Sequence, residues 1–523
     1  MKIVFQGQFL KEGLLELGHE VMPMLPQEYS DINDQIQSVC PDPDLVLLEL
    51  FGQVPVPDNF YECKYKTVAY CIDTPINEYY LSNYLHLFDY VFVDQKSSIV
   101  SLKNYGITAK FLPLCASIND FREQKEKIYD ISFVGTLSDY RKKRRNLLNF
   151  LTKYYSVNHV YGVSVDEMQD IFAQSKIILN ENFFSGLTLR IFQGLASGSL
   201  LLTESDGGFD EFFTDGLHLI CYKPHSIVAT FDDILHHYEK YQHIALAGQQ
   251  ECLARHTSKN RAQKILDEVN NQPSCKSKCL NEKKFYLANT KYTACLRFGG
   301  DFTHAVRILN ELLSNRDIVS AHAAYLLGNI YIRLSREEKA VDMYLLSINK
   351  GLATYPLIKL CMIFLKNGNK IKSLCILEKA IHDLPYIKNN LQQYFLRNPI
   401  DCLSTAQILF IIAKVYYSLG DIFFVGFLKQ CNDDFPDTAF EVCYLAWKEQ
   451  PSQEILDFML LCAEKCNIEG EMLPFLLKAL QDGFASEEQI HEAYRLAEIY
   501  YDFDMKEQLD KRFARSTDDF DKK

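Results

Sequence analysis

The chain has 523 residues, and single hydrophobic cores stop growing near about 250 to 300, so two or three domains are expected. Hydrophobic residues make up 48% of it, with 35 Phe and 31 Tyr, which excludes a largely disordered protein. A formal charge of −13 excludes a surface that coats nucleic acid or anionic membrane, so any anion site has to be local.

From residue 1 to 122, short apolar runs alternate with helix-period segments. KIVF, HEVMP, DLVLLEL, KTVAYCID, DYVFVD and AKFLPL read as strands, and FLKEGLLELG and SSIVSLKNYG as helices. In the first helix Leu10, Leu14 and Leu17 recur at helical spacing, and Gly18 stops it. The apolar run in MKIVFQGQFL is too short for a signal peptide, and no stretch approaches the roughly eighteen apolar residues of a membrane span. Sixteen cysteines without CxxC spacing, the nearest approach being Cys275 with Cys279, point to a reducing compartment rather than to zinc. A cytoplasmic location without a metal site is therefore expected.

A polar hinge, Phe121 to Asp130, leads into a second alternation over residues 123–270. Its strands are DISFVG, HVYG, KIILN, SLLLTE and HLICY; its helices include RKKRRNLLNFLTKYY, SVDEMQDIFAQ and RIFQGLASG. Two Rossmann-like α/β halves with mostly parallel sheets are predicted, with a ligand cleft at the carboxyl ends of the strands. From residue 283 to 523 the strand pattern gives way to a helical repeat of about 34 residues, tetratricopeptide-like in its spacing. Ala324, Leu327, Gly328, Tyr331, Ala340 and Tyr344 mark its clearest unit. Ala305 and Leu309, then Asn367-Gly368, Leu377, Ala380 and Pro385, then Ala413, Tyr416 and Gly420 mark weaker ones. Such an array forms a superhelix whose concave groove takes a protein partner.

Two strings carry chemistry. In SFVGTLSDYRKKRRNLL a strand runs through a glycine turn into a cationic helix, so the Gly135 and Thr136 amides with Arg141, Arg144 or Arg145 suit a phosphate. A solvated basic helix face is the alternative. In the stretch from KIILN to LHLICY, a helix begins near Arg190, and Gly207-Gly208 opens onto a short helix holding Glu211, where backbone can approach a diphosphate closely. That glycine pair is otherwise a plain turn. In the first half Asp73 ends a strand and Thr74-Pro75 forces a turn; Asp73 either meets sugar or acceptor hydroxyls, acts as a base, or caps the next helix. Gly7 either makes room for substrate or only turns the chain, His19 reads as structural, and His256 has no visible partner in the sequence.

The second string, together with FVGTLSDYRKKRRNLL, resembles the C-terminal half of group 1 glycosyltransferases of GT-B fold, in the spore-maturation-like subgroup. LGHEV, CIDTP, FDYVFVD and FLPLCAS extend the resemblance weakly over residues 1 to 270, and HTSKNRA resembles the closing helix of such domains. The resemblance implies sugar transfer from a nucleotide-sugar donor, of UDP or GDP type, bound by the second half, with the acceptor approached by the first. It implies retention of configuration, no cofactor, and no metal if arginines neutralise the diphosphate. Carried over by motif, Arg190 and the Arg141, Arg144 and Arg145 cluster face the phosphates, Gly207 and Gly208 contact them, and Gln193 meets the ribose. Ser185 and Gln193 stand where many members have two glutamates. The fusion to repeats is similar in architecture to protein O-glycosylation systems, which implies a protein acceptor; a cell-surface glycan acceptor, or a non-catalytic scaffold, are the alternatives. Donor motifs all precede residue 220 and repeat residues all follow 285, so the repeats are expected to be removable without loss of donor binding.

Overall fold

The computed structural model describes the chain except residues 29, 139–140, 183–185, 206–207, 272–277, 383–402, 423–434, 467 and 514–523. Six parallel strands form the first sheet in the order β2-β1-β3-β4-β5-β6: β1 (Lys2–Gln6), β2 (Glu20–Pro23), β3 (Leu45–Phe51), β4 (Thr67–Ile72), β5 (Tyr90–Val93) and β6 (Lys110–Phe111). β3 and β4 are buried along almost their whole length, which is why they read as unbroken apolar runs. β6 is shorter than AKFLPL suggested, because Pro113 has no N–H for the ladder.

A second parallel sheet, ordered β11-β10-β9-β7-β8, comprises β7 (Tyr129–Val134), β8 (Val157–Val160), β9 (Ser175–Leu179), β10 (Leu200–Glu204) and β11 (Ile220–Tyr222). Among the described residues no ladder joins the two sheets. The strand order reverses between β1 and β3 in one and between β7 and β9 in the other, and a crevice opens at the carboxyl end of each reversal. The helices that frame these crevices are α1 (Lys11–Glu16), α2 (Ile32–Val39), α3 (Thr74–Tyr84) and α4 (Lys96–Asn104) in the first domain. In the second they are α5 (Lys142–Leu151), α6 (Val165–Ala173) and α7 (Leu189–Ala196).

After α8 (Ile227–His236) and α9 (Gln242–Arg255), α10 (Ser258–Asn271) leaves the second domain and packs on α1 of the first. Arg261, 3% exposed, ties that return by donating from Nε to the Pro113 carbonyl at 2.8 Å and from Nη2 to Leu114 at 3.2 Å. Arg261 is also the partner that His256 lacked in the sequence, Nη2 lying 3.0 Å from Nδ1. Burial first, then that guanidinium, pushes the imidazole down to about 3, so His256 is a neutral structural group.

Beyond residue 280 every described element is helical, and no described helix is long and apolar enough to cross a membrane. Consecutive helices pack in pairs, for example α13 (Ile318–Arg333) with α14 (Glu337–Asn349), which follow α11 (Leu280–Phe298) and α12 (Thr303–Leu312). There a Cβ on Gly328 would lie 2.4 Å from the Tyr344 ring, and Tyr344 donates to Asn329 Oδ1 at 2.9 Å, so these two helices interlock closely. Pro385 lies outside the described residues.

The helical region packs against both α/β domains, which the positions of the motifs along the chain do not show. α11 lies against α3, where Lys291 donates to the Val56 carbonyl at 2.6 Å and pairs with Asp58 at 2.8 Å. At the other end Lys142 of α5 pairs with Glu471 at 2.7 Å, Phe150 meets the Phe503 ring at 4.4 Å, and Tyr501 enters the core of the second domain. The array thus begins on one α/β domain and ends on the other. Each joint combines an ion pair with buried apolar contact, a property that residue spacing along the chain does not reveal.

Candidate functional site

Gly7 follows β1 with φ +148°, and a Cβ there would lie 2.2 Å from a carboxylate oxygen of Glu49. The room that Gly7 makes is therefore for Glu49, not for a substrate. Glu49, 2% exposed near the end of β3, accepts from the N–H groups of Gln8 (2.6 Å), Phe9 (2.9 Å) and Leu10 (2.8 Å). Burial pushes its carboxyl up to about 7, and the three N–H donors act against that rise. Gly7→Ala is expected to destabilise the protein by about 2 kcal/mol or more, because it adds both a strained φ and a clash with buried polar atoms. A thermal melt unchanged from wild type would overturn this account of Gly7.

Asp73 ends β4 in the left-handed region, φ 51° and ψ 44°, a conformation that costs a non-glycine residue energy. Asp94, fully buried after β5, holds it there. Its Oδ2 accepts from the Asp73 N–H at 2.8 Å, and its Oδ1 accepts from the Thr74 N–H at 3.1 Å and the Thr74 hydroxyl at 2.8 Å. Burial, then the Asp73 carboxylate, pushes Asp94 up to about 6. Asp73 does not cap α3 with its side chain. Burial raises its carboxyl, and the charges of Arg141 and Arg144 in the second domain act against that rise.

Those cations gather at the strand reversal of the second sheet. Arg144, on the first turn of α5, donates from Nε to Glu181 at 2.9 Å and from Nη1 to the Thr136 carbonyl at 3.2 Å. Arg190, on the first turn of α7, donates from Nη2 to the Val134 carbonyl at 2.8 Å, and its guanidinium lies 4.3 Å from the centre of the Phe133 ring. Gly135 sits beneath both: a Cβ there would lie 2.8 Å from Arg190 Nη2 and 3.6 Å from Arg144 Nη1. Arg141 precedes α5; burial and Arg144 push it down to about 10, as burial and Arg144 push Arg190 down to about 9. Arg144 pairs with the buried carboxylate of Glu181, 1% exposed, whose charge also acts on Arg141 and Arg190. Such crowding of like charge in a dry crevice favours an anion.

Some of the expected contacts fall elsewhere. The Gly135 N–H donates to the Val160 carbonyl at 2.9 Å, closing the ladder, so of the two turn amides only that of Thr136 has no partner among the described residues. Arg145 follows Arg144 about 100° round α5 and is half-buried. Gln193 is half-buried one turn beyond Arg190 on the same helix. Ser185 and Gly207 lie outside the described residues. Gly208 is exposed with φ +61°, but the segment after it is one turn rather than a short helix, so it brings no helix N-terminus to the site. Phe209 and Phe213, 4% and 1% exposed, are both drawn into the core there, and Asp215 bridges to Leu219 directly after. Glu211 pairs with Lys96 of the first domain across the cleft rim.

Sequence reasoning missed the carboxylates that organise both crevices: Glu49, Asp94, Glu181 and Glu204. Glu204, 4% exposed, accepts from the Asn182 N–H at 2.8 Å and pairs with Lys143 at 2.7 Å. The Tyr501 hydroxyl, from the far end of the helical region, donates to it at 3.3 Å. Their common signal is an acidic residue at, or within two positions of, the carboxyl end of an apolar strand.

Two separate parallel sheets, with an arginine-lined crevice at the strand reversal of the second, define a protein with two α/β domains. Residues 118–267 match a family model described as "Glycosyl transferase-like", so the chain carries a glycosyltransferase-like domain over that stretch. No curated protein is similar to the chain in sequence. Among solved structures, it is similar to an alpha-glucosyltransferase in complex with UDP and a 13-mer DNA, at 10% identity and TM-score 0.41 over 52% of this chain and 100% of that one. Anabaena Alr3699/HepE in complex with UDP and glucose aligns at 11% identity and TM-score 0.37, again over 52% and 100%. Sucrose-phosphate synthase from Thermosynechococcus elongatus aligns at 9% and 0.40, over 52% and 98%.

Proposed function

We propose that the chain is a glycosyltransferase that moves a sugar from a UDP- or GDP-type donor to an acceptor hydroxyl, with the donor diphosphate seated among Arg141, Arg144 and Arg190. The observation that carries this reading is the meeting of Arg144, paired with Glu181, and Arg190 over Gly135 and the Phe133 ring at the strand reversal, on the domain that matches the family model. As the bond from the sugar to the diphosphate breaks, negative charge grows on the leaving group, and fixed buried cations stabilise that charge without reorganising. They supply the charge that a metal would otherwise bring, so we propose metal-independent transfer. Thr136 offers its amide to the phosphates, Arg145, Gly207 and Gly208 are assigned to the same ligand, and Gln193 to the ribose. Glu211 is set aside from the donor, being paired with Lys96.

Asp73 is assigned to the other substrate. Held rigidly by Asp94 and facing the cations, it can accept a hydrogen bond from a sugar or acceptor hydroxyl. The acceptor itself is proposed to be a protein recruited by tetratricopeptide-like helices, in a cytoplasmic setting. The direct test is calorimetric titration of UDP-glucose and GDP-mannose into the full chain, followed by donor hydrolysis; binding of neither would overturn the reading.

Gln193→Glu probes the ribose assignment. A carboxylate one turn from Arg190 makes a stronger, charge-assisted bond to a ribose hydroxyl than an amide does. Donor affinity is expected to hold or to rise by up to about tenfold. A folded Gln193→Glu protein that no longer binds donor would remove Gln193 from that role.

A further inference from the structure

Away from the donor crevice, a cavity of about 430 Å³ lies between α3 of the first domain and the inner helices of the helical region. A second, of about 770 Å³, continues it along α4. Tyr105, Asp421 and Thr438 line both, so Asp421 stands where the two meet. Its carboxylate accepts one hydrogen bond, from the Tyr355 hydroxyl at 2.8 Å, and no cation among the described residues pairs with it.

The cations nearest in the wall are already engaged. Asp437 takes both Arg333, at 3.2 Å, and Lys359, at 2.6 Å. Glu78 and Glu441 add further acid to the lining, and Lys465 stands exposed at the rim. Burial raises the Asp421 carboxyl to about 6, with the Asp437 charge adding to the rise and the Tyr355 hydroxyl acting against it. Tyrosine rings at Tyr105, Tyr325 and Tyr355 form the wall beside it, and aromatic faces attract cations. At its other end the second cavity reaches Pro75 and Ser98. Pro75 is two residues from Asp73 along the chain.

We propose that this groove binds an extended polypeptide through a lysine or arginine side chain seated between Asp421 and the Tyr105 and Tyr355 rings, with a hydroxyl of the same segment carried on to the cleft. A cation at Asp421 and a hydroxyl near Asp73 must belong to one molecule long enough to follow both cavities. An extended polypeptide carries both groups on one strand, at about 3.3 Å per residue. The proposal rests on the glycosyltransferase reading only for the reaction of the hydroxyl, not for binding of the cation.

The test uses the full chain, immobilised, and a randomised library of N-acetylated, C-amidated dodecapeptides, with UDP-glucose binding measured in parallel. Wild type is expected to enrich lysine or arginine about tenfold among retained peptides, and Asp421→Asn to lose that enrichment while binding UDP-glucose as before. Tyr105→Leu, which keeps the carboxylate and removes a ring, should reduce the enrichment as well, and it decides the matter if Asp421→Asn proves unfolded by circular dichroism. Retention without basic preference, or equal basic enrichment in wild type and a folded variant, overturns the proposal. If wild type binds UDP-glucose but selects no basic peptide, the groove assignment fails alone. If it selects basic peptides but binds no nucleotide sugar, the groove stands and the donor reading fails.

Discussion

A chain ending at Asn271 is expected to lose cooperative folding and, with it, nucleotide-sugar binding. The cut falls between the α/β domains and the helices, where the sequence suggests a harmless boundary, yet it strips apolar cover from both domains. On the first, Leu287, Ala288 and Tyr292 of α11, at 0%, 0% and 3% exposed, share one core with Tyr79, Tyr80 and Tyr84 of α3. On the second, Tyr501, 2% exposed, shares a core with Leu147 and Leu151, and the Phe503 ring covers Phe150. Each large side chain exposed forfeits about 1.5 to 3 kcal/mol, against a total stability of about 5 to 15 kcal/mol. Half a dozen such losses reach the whole margin. The cut also removes the Tyr501 hydroxyl from Glu204, whose carboxylate holds the Asn182 amide beside the arginine crevice. Circular dichroism melts and UDP-glucose titrations on residues 1–271 check this. A fragment that melts as sharply as the full chain and binds donor with the same Kd would show that the helices are an appendage after all.

Arg190→Ala is expected to weaken donor binding by about 2 to 3 kcal/mol, roughly 30- to 150-fold in Kd, the value of a charge-assisted hydrogen bond lost from a buried crevice. The alternative is that Arg190 is only a strut, since it donates to the Val134 carbonyl and lies over the Phe133 ring. The two roles separate in what they move. A strut lowers the melting temperature and leaves the Kd of the folded fraction alone, whereas a phosphate ligand changes the Kd. Arg190→Lys sharpens the comparison, because lysine keeps the charge but cannot donate from a planar fork. It should fall between wild type and Arg190→Ala, at about a tenfold loss. Equal affinities across all three, with only the melting temperature shifted, would remove Arg190 from the donor site.

By itself the sequence determined the class of the elements and their order. Strands buried on both faces have to be apolar throughout, as LVLLELF in β3 is, and a helix with one dry face has to repeat near every fourth residue, so β1 to β5 and the helices at Lys11 and Lys142 were legible. The basic run near Lys142 suggested an anion ligand from its place after a strand, and Arg190 only through the family resemblance. Which of them share a crevice was decided only by tertiary structure. Arg144 and Arg190 are 46 positions apart by number and meet over Gly135 because β7 and β9 are neighbours at a strand reversal. The same holds for Glu49 beside Gly7 and for Asp94 behind Asp73: a carboxylate in an apolar strand end shows no partner until the adjacent strand is in place. The attachment of the helical region at both ends was hidden for the same reason. Local spacing records how one helix packs on the next, whereas Tyr501 reaching Glu204 across 297 positions depends on the path of the helical region back to the second domain, which no local spacing encodes.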